Sequence, residues 1–337
     1  MENRIKPWSN QKSAYQAALT YIAQRKQGLI GSFRTPWPKV NDAGVDGFEW
    51  HNLVVIGGRP KSGKTLIKDQ IIREMSTHNP GQTINVLEFQ LEMLARSSKV
   101  REFCAILEKP YKYICSASKD DKLSDVDLNT LYQYSKSVVA TDKTPVDIVE
   151  KPCTVITFSK IITDYMEEHS VIIEGKKVYI NTVVTLDHSL LLNKAKDENS
   201  KTDMLYNLGE TLTALKRKYP ILFIVLSQLS RDMEKPERNE NGKYGNYVLD
   251  NDIFGGDALF QHADIVIGIN RPALKAIEYY GPERYHIVDD SVLIFHFLKC
   301  RNGDTRMSFF KAEFDKMRIV EMETPKMRKN LITTFDD

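Results

Sequence analysis

The sequence predicts an α/β fold: a mostly parallel central sheet flanked by helices. Three observations lead there. Strand-like runs such as residues 53–56 and 221–227 are apolar nearly throughout, as expected of strands buried on both faces. Amphipathic helical segments separate several of these runs, which suits a parallel sheet with crossover helices. The octapeptide Gly58-Arg59-Pro60-Lys61-Ser62-Gly63-Lys64-Thr65 satisfies G-x-x-x-x-G-K-[ST], with a strand before it and a helix after it.

The elements follow in order. Residues 11–26 form a helix, with Tyr15, Ala18, Leu19 and Ile22 at helical spacing on one stripe. Residues 32–47, rich in Gly, Pro and Trp, read as loop. Strands are expected at 53–56, 84–89, 146–149, 178–186, 221–227, 265–269 and 292–298, with a final meander at 307–314 and 317–322. Helices are expected at 64–76, 94–107, 159–169 and 203–218. The stretch 115–143 is polar and helical in parts. Residues 232–250 are long, polar and without period, the profile of a functional loop. The domain division is a tail and helix at 1–30, one large domain at 31–325 and a loose tail at 326–337.

Composition bounds the function classes. Apolar residues are 42% and charged residues 27% of 337, so a core can form and a disordered or collagen-like chain is excluded. The longest apolar run is six residues, 221–226, too short to cross a bilayer. The first residues lack the apolar segment of a secretory signal, and Cys104, Cys115, Cys153 and Cys300 are scattered. A reducing cytoplasm is the expected setting. The charge balance of 47 − 45 = +2 leaves any nucleic acid to be held by a local patch.

The chemistry of the loop is specific. Its glycines let backbone N–H groups close on phosphate oxygens, and the following helix N-terminus adds partial positive charge. Lys64 can reach the β- and γ-phosphates, and the Thr65 hydroxyl can ligate Mg²⁺. A second oxygen ligand for the metal belongs at the end of a neighbouring strand. Val183-Val184-Thr185-Leu186-Asp187 offers Asp187. The run 84–92 offers Glu88 and Glu92, either of which could polarise an attacking water.

Together these segments resemble the RecA-like motor domain of DnaB-type hexameric replicative helicases of bacteria and bacteriophages. Phe89-Gln90-Leu91-Glu92-Met93 resembles the family's F-S-L-E-M, which implies that Glu92, rather than Glu88, is the catalytic base. Asp187 falls at the family's Walker B aspartate. Ser227-Gln228-Leu229-Ser230-Arg231 resembles S-Q-L-[NS]-R, making Gln228 a γ-phosphate sensor. Gln261-His262-Ala263-Asp264 resembles Q-D-A-D. Lys299-Cys300-Arg301-Asn302-Gly303 resembles K-x-R-x-G, whose Lys299 and Arg301 would reach the neighbouring subunit's nucleotide as an arginine finger. The helix at 11–26 stands where the family's linker helix docks on an adjacent protomer, although its stripe could equally pack on its own domain.

The resemblance implies ATP and Mg²⁺ as cofactors, a homohexamer, single-stranded DNA as track, and a primase or loader as partner. Arg271, just past the strand at 265–269, is a candidate to stack on adenine. Two loops after Asp187 and Gln228 would contact DNA through Lys194, Lys196, Arg231, Lys235, Arg238, Lys243 and Tyr244, with cations for phosphates and an aromatic for a base. Three departures stand out. The chain begins close to the linker helix, without the family's N-terminal collar. The segment from Asp252 to Gly256 lacks the family's arginine. Lys61 occupies a position usually held by a small residue. The alternatives are a RecA-like DNA-binding ATPase that forms filaments or loads partners, and a small-molecule P-loop kinase. The kinase would need an arginine-rich lid that the sequence does not show.

Overall fold

The computed structural model describes residues 10–118, 122–141, 145–196, 198–239, 247–253 and 256–327. The strands are β1 (Leu53–Gly58), β2 (Asn85–Gln90), β3 (Val146–Val149), β4 (Val171–Ile173), β5 (Lys176–Val178), β6 (Thr182–Asp187), β7 (Ile221–Gln228), β8 (Ile265–Asn270), β9 (Tyr279–Tyr280), β10 (Tyr285–His286), β11 (Val292–Cys300), β12 (Met307–Glu313) and β13 (Arg318–Glu321). Nine of them form one sheet in the order β13-β12-β11-β8-β1-β7-β6-β2-β3. The six strands from β8 to β3 run parallel, and β11, β12 and β13 complete the sheet as an antiparallel meander. The helices are α1 (Gln11–Lys26), α2 (Pro38–Ala43), α3 (Lys64–Arg73), α4 (Met75–His78), α5 (Ala95–Leu107), α6 (Tyr111–Cys115), α7 (Asp125–Thr141), α8 (Val155–Glu168), α9 (Lys201–Lys218), α10 (Pro236–Asn239) and α11 (Gly256–His262).

The apolar runs are explained by two cores, one on each face of the sheet. In β7, Ile221, Phe223 and Val225 join α8 and α9, while Leu222, Ile224 and Leu226 join α3 and the Phe33–Trp37 segment. A strand covered on both faces has no polar side to alternate with. α9 starts with a capping box, in which Ser200 accepts from the Asp203 backbone N–H and the Asp203 carboxylate accepts from the Ser200 N–H.

Several expectations are corrected. The run 178–186 is not one strand. Residues 174 and 175 adopt positive φ and turn a separate hairpin, β4–β5, and β6 begins only at Thr182. The helix at 64–76 breaks at Glu74 into α3 and α4, and the loop at 32–47 contains α2, started by a proline in its first turn. The stretch 115–143 contains the 17-residue α7. α1 has the predicted bounds, but its stripe does not pack on its own domain. Tyr15, Leu19 and Ile22 are 60–66% exposed. Only the far end of the helix is tied down, by Tyr21 donating to Glu49 (2.7 Å) and Arg25 to Ser32 Oγ (3.1 Å).

The meander is locked to the parallel strands by a buried polar cluster. The Tyr280 hydroxyl lies 2.7 Å from His296 Nε2 and accepts from Asn270 Nδ2 at 3.1 Å. Burial lowers the His296 pKa to about 3. Below pH 6.5 the unfolded chain therefore takes up a proton that the folded chain refuses until about pH 3. This group's contribution falls by about 1.4 kcal/mol per pH unit through that window, or about 2 kcal/mol between pH 7 and pH 5. Denaturant unfolding of wild type and His296→Gln across that range should show a shallower acid limb in the variant; parallel limbs would remove His296 as the cause.

Candidate active site

β1 ends at Gly58, and the chain turns through Lys61 (φ 65°) and Gly63 (φ 92°) into α3. A Cβ on Gly58 would lie 2.3 Å from Ser62 Oγ, so a larger residue there would force the Ser62 hydroxyl and the Lys64 stem to shift. Lys61 holds a left-handed conformation without being glycine, a strain of about 1 kcal/mol. The buried Lys64 ammonium folds back on the loop, donating to the Gly58 carbonyl (2.8 Å) and the Arg59 carbonyl (3.2 Å). Burial lowers its pKa to about 8, against the pull of Asp187 and Glu92.

Strand register assembles the rest of the cleft. Gly58 pairs with Gln228, and Gln90 pairs with Asp187, so the carboxyl ends of β1, β7, β6 and β2 meet at one edge of the sheet. Ligands of open α/β sheets bind at that edge. A cleft of about 570 Å³ there is lined by Pro60, Lys61, Ser62, Gly63, Lys64, Thr65, Glu92, Gln228 and Arg271. Asp187 is buried beneath it, close to the Thr65 hydroxyl. Burial pushes its pKa up to about 6, and its Oδ1 has no partner. Ser62 Oγ, His188 Nδ1 and Ser227 Oγ are also buried without partners. Buried polar atoms left unpaired mark a missing ligand. The Thr65 hydroxyl and the Asp187 carboxylate are hard oxygen donors that suit Mg²⁺, which keeps most of its shell for water and phosphate.

The two glutamates of β2 separate cleanly. Glu88 is buried, and its Oε2 lies 2.6 Å from Lys68 Nζ. Burial opposes its ionisation, but Lys68 outweighs burial and holds the carboxyl below the usual glutamate value. Lys68 is itself completely buried, and Asp69 (2.7 Å) and Glu88 hold it charged against the cost of desolvation. Glu92 is exposed on the cleft wall. Only Glu92 is placed to meet a water beside a bound phosphate.

Three cleft residues were not singled out by sequence reasoning. Arg101, on the inner face of α5, lines the cleft, as does His188, whose pKa burial and Lys64 lower to about 4. Phe314 lies under the Arg271 guanidinium, 4.2 Å from ring centroid to Cζ, and packs against Gly63. Arg101 sits in a helix with no local motif. Phe314 is distant in sequence, and only the return of β12 brings it to the loop.

Lys299 and Arg301 are not in this cleft. β11 runs antiparallel to β8, with Cys300 opposite Ile265, and Ile265 lies opposite Val54 at the start of β1. Arg301 therefore sits at the amino edge of the parallel strands, about 16 Å of strand from Gly58. Its guanidinium, 56% exposed, pairs with Asp264 at 3.1 Å. Asp264 also accepts from Lys216 and from the Leu53 N–H (2.8 Å). Lys299 Nζ donates to the Phe260 carbonyl at 2.7 Å.

Several of the DNA candidates already have partners within the chain. Lys194 donates to the Glu198 and Asn199 carbonyls, and Lys235 pairs with Asp232. Arg238 grips Asp252 with two bonds (3.0 and 2.9 Å) and also donates to the Tyr247 carbonyl. Lys196 and Arg231 are exposed on the loops that leave the cleft edge. Lys243 and Tyr244 lie outside the described residues.

Fold and cleft together define a RecA-like P-loop nucleotide-binding domain. The chain belongs to the DnaB-like helicase C terminal domain family, which it matches over residues 35–319. It is 22% identical over 309 residues to the replicative DNA helicase DnaB of Geobacillus stearothermophilus, covering 88% of this chain and 58% of that protein. The chain thus spans less than two thirds of that relative. Two solved structures share its fold, each with 20% identity, a TM-score of 0.71 and 91% of this chain covered. One is a DnaB-like replicative helicase studied with its primase interactions, of which 68% is covered; the other is an ATPase domain, of which 98% is covered.

The buried pair under the cleft makes a stability prediction. Lys68→Met strands Glu88 without its cation and should cost about 3–5 kcal/mol, whereas Lys68→Met with Glu88→Leu should recover most of that loss. Chemical denaturation of the three proteins measures both. Equal loss in single and double variants would show that the pair is not the source.

Proposed function

We propose that this chain is an ATP-dependent replicative DNA helicase motor that moves along single-stranded DNA as a ring, hydrolysing ATP at subunit interfaces. In this reading α1 is the linker, residues 31–325 are the motor and the working form is a homohexamer in the cytoplasm of a bacterium or of a phage-infected host. A primase or loader is a partner. Residues 58–65 cradle the triphosphate, with Lys64 leaving the Gly58 and Arg59 carbonyls for the phosphate oxygens. Thr65 and Asp187 hold Mg²⁺, which neutralises phosphate charge when bound. Glu92 orients and deprotonates the water, Gln228 meets the γ-phosphate, and Arg271 with Phe314 flanks the base. Lys194, Lys196, Arg231, Lys235, Lys243 and Tyr244 supply the DNA contacts.

One observation carries the reading: Lys299 and Arg301 stand at the edge of the sheet opposite the cleft. They cannot serve their own nucleotide, but a neighbour stacked head to tail would bring them to the next one. The exposed stripe of α1 offers a heterologous contact of the same kind. Such contacts close a ring when the rotation closes and otherwise extend a filament, so a filament-forming or loading ATPase is the second reading.

Arg301→Ala should leave ATP affinity within about twofold of wild type and slow DNA-stimulated hydrolysis by about 10³-fold. Binding of a fluorescent ATP analogue and steady-state phosphate release measure the two effects. Undiminished hydrolysis would end the shared-site reading. Unwinding of a forked duplex separates the ring helicase from the filament or loader.

A further inference from the structure

We infer that Glu234 is a positioning residue that carries the state of the phosphate loop to the loop following β7. This rests on the proposed function, because it explains how ATP and DNA binding are joined. Arg59, the second residue of the phosphate loop, grips Glu234 with Nε on Oε1 at 2.9 Å and Nη2 on Oε2 at 3.4 Å. Its remaining nitrogen donates to the Leu229 carbonyl at 3.0 Å. Glu234 closes the 3-10 turn Arg231–Glu234 that opens the polar loop immediately after Gln228. One arginine therefore fastens the loop that holds phosphate to the first turn of the loop assigned to DNA.

The same arginine senses the nucleotide through its backbone. Lys64 Nζ rests on the carbonyls of Gly58 and Arg59. The Gly58 carbonyl also receives the Leu229 N–H. Drawing Lys64 onto a phosphate removes its bonds from the peptides on either side of the Arg59 Cα. The arginine is then free to reorient, and Glu234 follows it.

Glu234 also has a second cation. Lys275 Nζ lies 3.3 Å from Oε1, on the 3-10 turn that follows Arg271. A cavity of about 270 Å³ borders Arg59, Glu234 and Lys275, giving the carboxylate room to change partner. Both cations share Oε1 in this structure, so withdrawal of Arg59 would leave the carboxylate to Lys275 alone, a change of partner that nucleotide and DNA could each bias.

The test uses the isosteric variant Glu234→Gln in the full chain. Single-stranded DNA affinity is measured with and without a non-hydrolysable ATP analogue, alongside the KM for ATP in the absence of DNA. Wild type should bind DNA at least about tenfold more tightly with the analogue, within the usual range of linked sites. Glu234→Gln should reduce that ratio to below about threefold, with nucleotide-free DNA affinity and the DNA-free KM within about twofold of wild type. A retained ratio overturns the inference. An equal loss of KM and nucleotide-free affinity also overturns it, by showing a merely structural role. Absence of coupling in wild type instead removes the proposed function itself, and the inference with it.

Discussion

The direction of the parallel strands is the constraint on which the account depends. Every strand that feeds the nucleotide cleft delivers its carboxyl end to one edge of the sheet, and β11, by running the other way, delivers Lys299 and Arg301 to the opposite edge. No rotamer of an arginine spans the roughly 16 Å between them. A site that needs those cations must take them from another copy. The same polarity places the loops after β6 and β7 beside the phosphate loop, so the elements proposed to meet phosphate and DNA share one edge of one protomer.

Burial sharpens the chemistry of that edge. Lys64 is held near the pH at which it would lose its proton, Asp187 carries an unpaired oxygen, and three further polar atoms lack partners. Below them the buried Lys68 and Glu88, with the half-buried Asp69, form an ion cluster that joins α3 to β2. The cleft holds unmet hydrogen bonds that a triphosphate and its metal can satisfy, while the Lys68 and Glu88 charges beneath it are already paired with each other. Arg301 is treated differently again. The buried Asp264 holds it at the surface, which orients the guanidinium without burying it.

Much of this was legible in the sequence, for local reasons. The phosphate loop, α1, β3 and the core strands are specified by short-range spacing, and the two-sided burial of β7 is written in its unbroken apolar run. What was hidden depends on distant partners. The expected strand at 178–186 took in Val178, the end of the β4–β5 hairpin, because Val178, Tyr179 and Ile180 are strand-forming residues that run on into β6. Phe314 and Arg271 meet only because the meander returns over the loop. Arg238 looks like a free cation until Asp252 is folded against it. Glu88 and Glu92 are equivalent as carboxylates and differ only in that Lys68, four residues past Lys64, claims the first. The resemblance favours Glu92, and the Lys68–Glu88 ion pair is a separate physical reason to prefer it over Glu88.

Subunit complementation tests the central claim most directly. Glu92→Gln protomers keep Arg301, and Arg301→Ala protomers keep Glu92; each preparation alone should be inactive in DNA-stimulated ATP hydrolysis. Mixing them creates interfaces with an intact glutamate on one side and an intact arginine on the other. The account predicts that activity returns in the mixture and peaks at intermediate ratios. Mixtures that stay as inactive as the separate variants, although the protomers demonstrably co-assemble, would contradict it.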